Sequence, residues 1–157
     1  MSFPGLFGNM VKHRFKFDEM TDTIARRYAS EKTLAETAAD LRTNAGKRSA
    51  IPGFPPEMPL SDVTIHRQDI RRPLGLSCDI DENVLSAVLD FLTTHKQAKN
   101  FFDTSKLDGV QLVVTDIDWS FGSGDKIEGP AEAIMMTLTG RPAGSDLTGD
   151  AVSKIES

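Results

Sequence analysis

The chain has 157 residues and a mass of 17.2 kDa, and its 18 lysine and arginine residues against 23 acidic residues give a net charge of −5. An acidic chain argues against a dedicated binder of nucleic acid or of anionic membranes, because both classes bind through basic surfaces. A single cysteine, Cys78, excludes an internal disulfide and a metal site with several cysteine ligands. The sequence has neither an apolar run of about 18 residues nor a basic leader before an apolar stretch, so we expect no membrane span and a soluble, cytoplasmic protein.

Four amphipathic helices are predicted in the first 96 residues, because apolar side chains recur there at about every third or fourth position. They span residues 6–29, 33–46, 59–72 and 81–96. The first two are expected to form a helical hairpin, the unit from which bundles are built. In the third helix, Leu60, Val63 and Ile70 are expected to face the core.

Side chains at two helix starts have the pattern of N-terminal caps. Thr33 and Glu36 have the spacing of a capping box, in which each side chain accepts a hydrogen bond from a free backbone N–H of the other. Asp81 precedes the fourth helix and is expected to cap it in the same sense.

The periodicity changes to a strand pattern in the last third of the chain. Residues 110–119 are apolar and β-branched, and one face of this strand is expected to carry Val113, Thr115, Ile117 and Trp119. A glycine-rich turn at 122–125 is expected to lead into a return strand at 126–128. A fifth helix should open at Gly129-Pro130 and close at Gly140, and residues 147–150 suggest a last short strand.

These elements predict an α+β protein, with helices first and a small α/β unit after them. We expect a helical bundle part over residues 1–97 and a small C-terminal α/β domain over residues 98–157.

The pattern that best indicates chemistry lies in the third helix. Asp62 and His66 are four residues apart, so on a helix both side chains project from one face. A carboxylate oxygen and an imidazole nitrogen at this spacing can share a divalent cation. Asp69, three residues further on, can orient the imidazole from behind.

Other interpretations of these polar residues are ordinary. An Asp/His pair at this spacing is often only solvated or hydrogen bonded, and a catalytic metal usually takes three protein ligands. His13 is expected to be exposed on the first helix, and His95 is expected to complement the dipole at the end of the fourth. Cys78 has no partner that would make it reactive, so we expect a plain loop thiol.

The run His66–Gly75 resembles the signature of the mycothiol-dependent maleylpyruvate isomerase family, within the DinB-like superfamily of metal-binding helical bundles. Trp119, Gly129–Ile134 and Thr139–Pro142 resemble the strand, turn and helix of the same family's small C-terminal domain. The order and spacing of both stretches match, and the resemblance covers nearly all of the chain.

The resemblance implies a DinB-like helical bundle followed by a small α/β domain, and a metal- and thiol-dependent enzyme. It places the acid and the histidine of a divalent metal site, typically zinc, at Asp62 and His66, although the family usually has Glu where this chain has Asp62. It also implies that mycothiol, a small-molecule thiol, acts on a small substrate by isomerisation or thiol transfer. Arg141 matches a family arginine that faces the active-site cleft and is expected to bind a carboxylate.

The family's first helix, which brings another metal-binding histidine, has no counterpart here, and His13 does not match its position. We therefore expect an incomplete bundle and a weak metal site. Either the chain is a shortened relative of the family, or its true start lies upstream of Met1. The apolar side left open should be covered in a homodimer or by a partner, with Phe3, Phe7, Met10 and Phe17 as candidates. The competing interpretation is a non-catalytic family member that has lost metal binding and has a structural or interaction role.

Overall fold

The computed structural model describes residues 17–46, 54–77 and 79–156, and in these ranges the protein is mixed α/β, with six α-helices and one three-stranded sheet. The chain forms two compact units, residues 1–53 and residues 54–157. The boundary expected between residues 97 and 98 therefore falls inside the second unit. His13 and Cys78 lie outside the described residues, as do Phe3, Phe7 and Met10. Within the described ranges, no helix has the length and the apolar character that a membrane span requires.

The first unit contains α1 (Phe17–Glu31) and α2 (Leu34–Asn44), joined by two residues as the hairpin prediction requires. Both halves of the predicted capping box are present at Thr33 and Glu36. Asp40 of α2 accepts hydrogen bonds from the Tyr28 hydroxyl and the Lys32 ammonium, which tie the two helices together.

The second unit begins with α3 (Glu57–Arg71), which continues into a 3₁₀ turn at Arg72–Leu74 and ends at Gly75 in the left-handed conformation. The helix starts two residues earlier than predicted, and Pro59 occupies its third position, where a missing backbone N–H costs nothing. The fourth predicted helix is α4 (Glu82–Thr94), and the Asp81 carboxylate caps it by accepting a hydrogen bond from the backbone N–H of Asn83.

The predicted core face of α3 is wrong. Val63 and Ile70 are 66% and 67% exposed, and Leu60 is exposed as well, whereas Ile65 is 2% exposed. The buried face of α3 consists of Ser61, Thr64, Ile65 and Gln68. Polar side chains can occupy a buried face when they are hydrogen bonded, and Ser61 meets this condition by donating to the carbonyl of Glu57 at 2.8 Å.

The sheet consists of β1 (Val110–Val114), β2 (Ser120–Gly122) and β3 (Asp125–Gly129) in the order β2-β1-β3. β1 pairs with β2 in antiparallel and with β3 in parallel orientation. The predicted strand over 110–119 is therefore too long, and the hairpin turn lies at residues 115–119 instead of 122–125. The glycine-rich turn at 122–125 instead carries the chain from β2 past β1 to the opposite edge of the sheet.

Val113, Thr115, Ile117 and Trp119, which were expected on one face of a single strand, do not share a strand, because β1 ends at Val114. The buried side chains of β1 are Val110, Leu112 and Val114. The chain leaves the strand after Val114, and Asp116, which follows, caps the next helix. Its carboxylate accepts a hydrogen bond from the backbone N–H of Ala131 at 2.8 Å. Aspartate is rare in strands, and outside the strand the Asp116 side chain accepts a hydrogen bond from a backbone N–H at the start of the helix.

The fifth predicted helix is α5 (Ala131–Leu138), and all eight of its residues are buried. After it, a single bridge between Glu128 and Thr148 takes the place of the predicted last strand, and α6 (Val152–Ile155) ends the unit. One hydrophobic core joins α3 and α4 to the sheet and α5, which is why residues on both sides of position 97 form one unit. Its largest fully buried members include Ile65, Leu89, Leu92, Leu112, Ile127, Ile134, Met135 and Leu138.

Candidate functional site

The predicted pair on α3 is brought together by the helix. Asp62 Oδ1 lies 3.6 Å from His66 Nε2, and both side chains are about three-fifths exposed. The pair projects from a flank of the helix, between its buried face and its exposed apolar side. A dissolved ion or a small molecule can therefore reach both side chains.

Asp69 lies behind the imidazole, as the spacing predicts. Its Oδ2 is 2.9 Å from His66 Nδ1. An ionised carboxylate can only accept hydrogen bonds, so Nδ1 carries the proton and donates the hydrogen bond to Asp69. In the neutral ring this arrangement leaves the lone pair on Nε2, the nitrogen that faces Asp62.

Arg141, which lies three residues after the end of α5, completes the cluster. Its Nε donates to Asp69 Oδ1 and its Nη2 donates to Asp69 Oδ2, both at 3.0 Å, in a two-pronged ion pair. Hydrogen bonds from Arg141 hold the pKa of the Asp69 carboxyl below its usual value against the opposing effect of burial, and the bond from His66 adds to the lowering. Asp69 is therefore ionised at neutral pH.

The end of α5 places Arg141 at this position. Gly140 has a φ of 79°, and its N–H bonds to the carbonyl of Thr137 while the Arg141 N–H bonds to that of Met136. These two bonds are those of a Schellman motif, in which glycine allows the left-handed turn. The closing glycine was predicted from the sequence, and the structure shows that it turns the following arginine toward α3.

The donor set fits two positions of a metal site. Zinc holds nitrogen and carboxylate oxygen ligands at about 2.0–2.2 Å in a tetrahedron, which puts two such ligands roughly 3.4 Å apart. The observed 3.6 Å between His66 Nε2 and Asp62 Oδ1 matches this separation closely. In the described part of the chain, no group of three or more His, Cys, Asp or Glu side chains could hold a metal ion.

His95 has a structural environment. Its ring stacks on Phe91 with the centroids 5.2 Å apart, and its Nδ1 accepts a hydrogen bond from the backbone N–H of Gln97 at 3.2 Å. The ring therefore closes the turn after α4, in addition to any effect on the helix dipole.

A second polar cluster was not predicted from the sequence. Arg72 forms ion pairs with Glu132 of α5 and with Asp146, and Gln68 Nε2 donates to Glu132 Oε1 at 3.1 Å. Together with Leu76, these side chains line an open cleft of about 410 Å³. The sequence contained one usable signal. Ser61 and Gln68 lie on one side of α3, and Arg72 in the turn after it continues that side, which marks it as a polar surface with partners elsewhere.

No family model, no curated protein and no solved structure that was compared with this chain matches it.

Proposed function

We propose that this chain is a protein of the maleylpyruvate isomerase family, built on a DinB-like bundle, that acts as a mycothiol- and divalent-metal-dependent isomerase or thiol transferase. One observation carries the proposal. His66 Nε2 lies 3.6 Å from Asp62 Oδ1 while Nδ1 is held by Asp69, so two potential metal-binding atoms lie close together on side chains that solvent reaches. This arrangement of a carboxylate behind a metal-binding histidine recurs in zinc proteins because it fixes the ring and raises its basicity.

Asp62 and His66 would hold the metal, with zinc favoured by the mixed nitrogen and oxygen donors. When bound, the metal ion would lower the pKa of a coordinated thiol so that the nucleophilic thiolate is present at neutral pH. Asp62, Asp69 and Arg141 together carry a net charge of −1, so a divalent cation leaves this group of charges positive. A positive site attracts an anionic thiolate and a small acidic substrate.

Arg141 would contribute to the binding of a carboxylate on the substrate or on the thiol. A guanidinium has five N–H donors. Three hydrogen bonds of Arg141 are accounted for, two to Asp69 and one from Nη1 to the carbonyl of Thr139 at 2.6 Å. The two remaining donors lie on the Nη atoms and would meet the carboxylate.

A second candidate function is that of a non-catalytic family member with a structural or interaction role. It is favoured by the number of ligands, since Asp62 and His66 supply two in the described residues where a catalytic zinc usually has three. The two candidates differ in whether the pair binds a metal at all.

Calorimetric titration of the purified full chain with zinc would test the proposal. We expect weak binding to the wild type and none to His66→Ala. The control is His95→Ala, which removes a histidine from the end of α4 and should leave binding unchanged. Addition of mycothiol to the cobalt-loaded protein should then produce a thiolate-to-cobalt charge-transfer band that His66→Ala lacks. Stoichiometric zinc binding that survives His66→Ala would refute the assigned site, and a wild type that binds no metal would favour the non-catalytic alternative.

A further inference from the structure

We infer that Arg141 is a positioning residue for His66 that acts through Asp69, in addition to any contact that it makes with a ligand. The inference concerns the orientation and the tautomer of the imidazole. Its consequence for metal binding rests on the proposed function, but the state of the ring itself does not.

The hydrogen bonds form one continuous chain. Asp69 Oδ2 accepts from Arg141 Nη2 at 3.0 Å and from His66 Nδ1 at 2.9 Å, so the same oxygen serves both neighbours. Asp69 Oδ1 accepts from Arg141 Nε at 3.0 Å. With both oxygens held by the guanidinium, the plane of the carboxylate is fixed, and the oxygen facing His66 cannot rotate away.

Without Arg141, little would hold Asp69 in this orientation. Its side chain is about one-third exposed, so a carboxylate with only His66 as a partner would exchange between the ring and water. A neutral imidazole carries its proton on either nitrogen, and the hydrogen bond at one nitrogen decides which. Loss of the bond at Nδ1 would put the proton on Nε2 in part of the molecules and remove the lone pair that faces Asp62.

Arg141 is itself held in place, so its guanidinium can fix the position of the Asp69 carboxylate. Its Nη1 donates to the carbonyl of Thr139, and the left-handed turn at Gly140 fixes its backbone. The end of α5 thus sets the direction of a side chain on α3, across 72 residues of sequence.

The test is ¹⁵N NMR of the metal-free full chain with labelled histidine, at about pH 8.5, where an ordinary imidazole is neutral. We expect the wild-type His66 resonances to show the proton on Nδ1. Arg141→Gln should shift them toward the mixture of tautomers found in a free imidazole, and Arg141→Lys should restore part of the wild-type pattern through one remaining charged hydrogen bond. Asp69→Asn should move the proton to Nε2, because its amide can donate to Nδ1.

Arg67→Gln is the matched control, since Arg67 is adjacent to His66 in sequence but forms an ion pair with Asp79. It should leave the tautomer unchanged, and circular dichroism would verify that each variant is folded. If Arg141→Gln is folded and keeps the wild-type tautomer, or if Arg67→Gln changes it equally, the inference is wrong. Should Arg141→Gln not fold, Arg141→Ala is measured in its place, and a folded Arg141→Ala that keeps the wild-type tautomer shows that the inference is wrong.

Zinc titration of the same variants separates this inference from the proposed function. If the wild type binds zinc, Arg141→Gln should weaken binding by about 10–100-fold, the usual effect of losing a residue behind a ligand. A wild type without zinc affinity whose tautomer depends on Arg141 would overturn the proposed function alone. Zinc binding by the wild type with a tautomer that does not depend on Arg141 would overturn the positioning role alone.

Discussion

Arg72, in the turn that follows α3, forms an ion pair with Glu132 of α5, which is 60 residues away in sequence and only 8% exposed. Gln68 donates a hydrogen bond to the other carboxylate oxygen of Glu132. A buried carboxylate is tolerated only when it is paired and hydrogen bonded, and the Arg72 and Gln68 side chains satisfy both oxygens. The contact therefore fixes α3, which carries Asp62, His66 and Asp69, against α5, the helix whose closing turn leads into Arg141.

The first prediction concerns this ion pair. Breaking a buried ion pair costs about 3–5 kcal/mol, and Arg72→Met should lower the free energy of unfolding because it leaves the Glu132 charge buried without its cationic partner. We take the lower part of this range, since Arg72 keeps about a quarter of its side chain in solvent. Urea unfolding would measure the change.

The matched control for Arg72→Met is Asp146→Asn, which removes the more exposed partner of Arg72 and should cost less than about 1 kcal/mol. The double variant Arg72→Met/Glu132→Gln should regain part of the loss, because the unpaired charge is gone. Equal losses for Arg72→Met and Asp146→Asn would contradict the burial argument.

The orientation of α3 illustrates what the sequence pattern could not predict. Its apolar residues have helical spacing at Leu60, Val63 and Ile70, and this spacing predicts that they face the core. The structure buries Ile65 with polar neighbours instead, because Gln68 finds its partner in α5. Hydrogen bonds to a distant element are invisible to hydrophobic periodicity, which counts only the apolar side chains of the helix itself.

The second prediction compares the two sides of α3. Ile65→Ala should destabilise the protein by about 2–4 kcal/mol, since it opens a cavity beside a side chain that is 2% exposed. Val63→Ala removes two methyl groups from an exposed position of the same helix and should change stability by no more than about 0.5 kcal/mol. Chemical unfolding of both variants decides the matter, and a larger loss for Val63→Ala would show that the helix packs by its other face.

The parts of the candidate site that sequence spacing could predict are those within one helix. Asp62, His66 and Asp69 lie three and four residues apart, so helix geometry alone brings them together. The Arg141 bond to Asp69 joins two elements, and its partner could not be read from spacing. The expectation that Arg141 binds a carboxylate came from the resemblance, and the structure shows it bound to a carboxylate of this same chain.

The third prediction concerns the cap of α4 and its pH dependence. Hydrogen bonds from Asn83, first from its side chain and then from its backbone, hold the pKa of the Asp81 carboxyl below its usual value. A carboxyl with a lowered pKa in the folded state contributes stability above its unfolded pKa, at about pH 4, and the contribution is lost as the pH falls through the folded value.

Thermal unfolding of the wild type and Asp81→Asn would test this prediction, because asparagine can cap a helix but does not titrate. The melting temperature of the wild type should fall relative to that of Asp81→Asn as the pH is lowered from about 7 to about 2.5. Asp81→Ala, which removes the cap, should be the least stable of the three at neutral pH. A constant difference between the wild type and Asp81→Asn over this range would contradict the assigned role.

The last prediction concerns the chain's passage from β2 to β3. Gly124 has a φ of 127°, and a Cβ there would lie 2.2 Å from the carbonyl oxygen of Gly109. That oxygen accepts a hydrogen bond from the Asp125 N–H at 2.9 Å, so a side chain would have to displace the start of β3. Gly124→Ala should therefore cost more than about 2 kcal/mol, through torsional strain together with the clash.

Gly75, at the end of the turn after α3, separates strain from contact. Its φ is 65°, but a Cβ there would have no neighbour within 4 Å. Gly75→Ala should thus cost only the torsional strain, about 1 kcal/mol. Urea unfolding of both variants gives the comparison. If the two substitutions lower the stability equally, the close contact between Gly124 and Gly109 has no measurable effect. The crossing from β2 to β3 would then depend on other contacts.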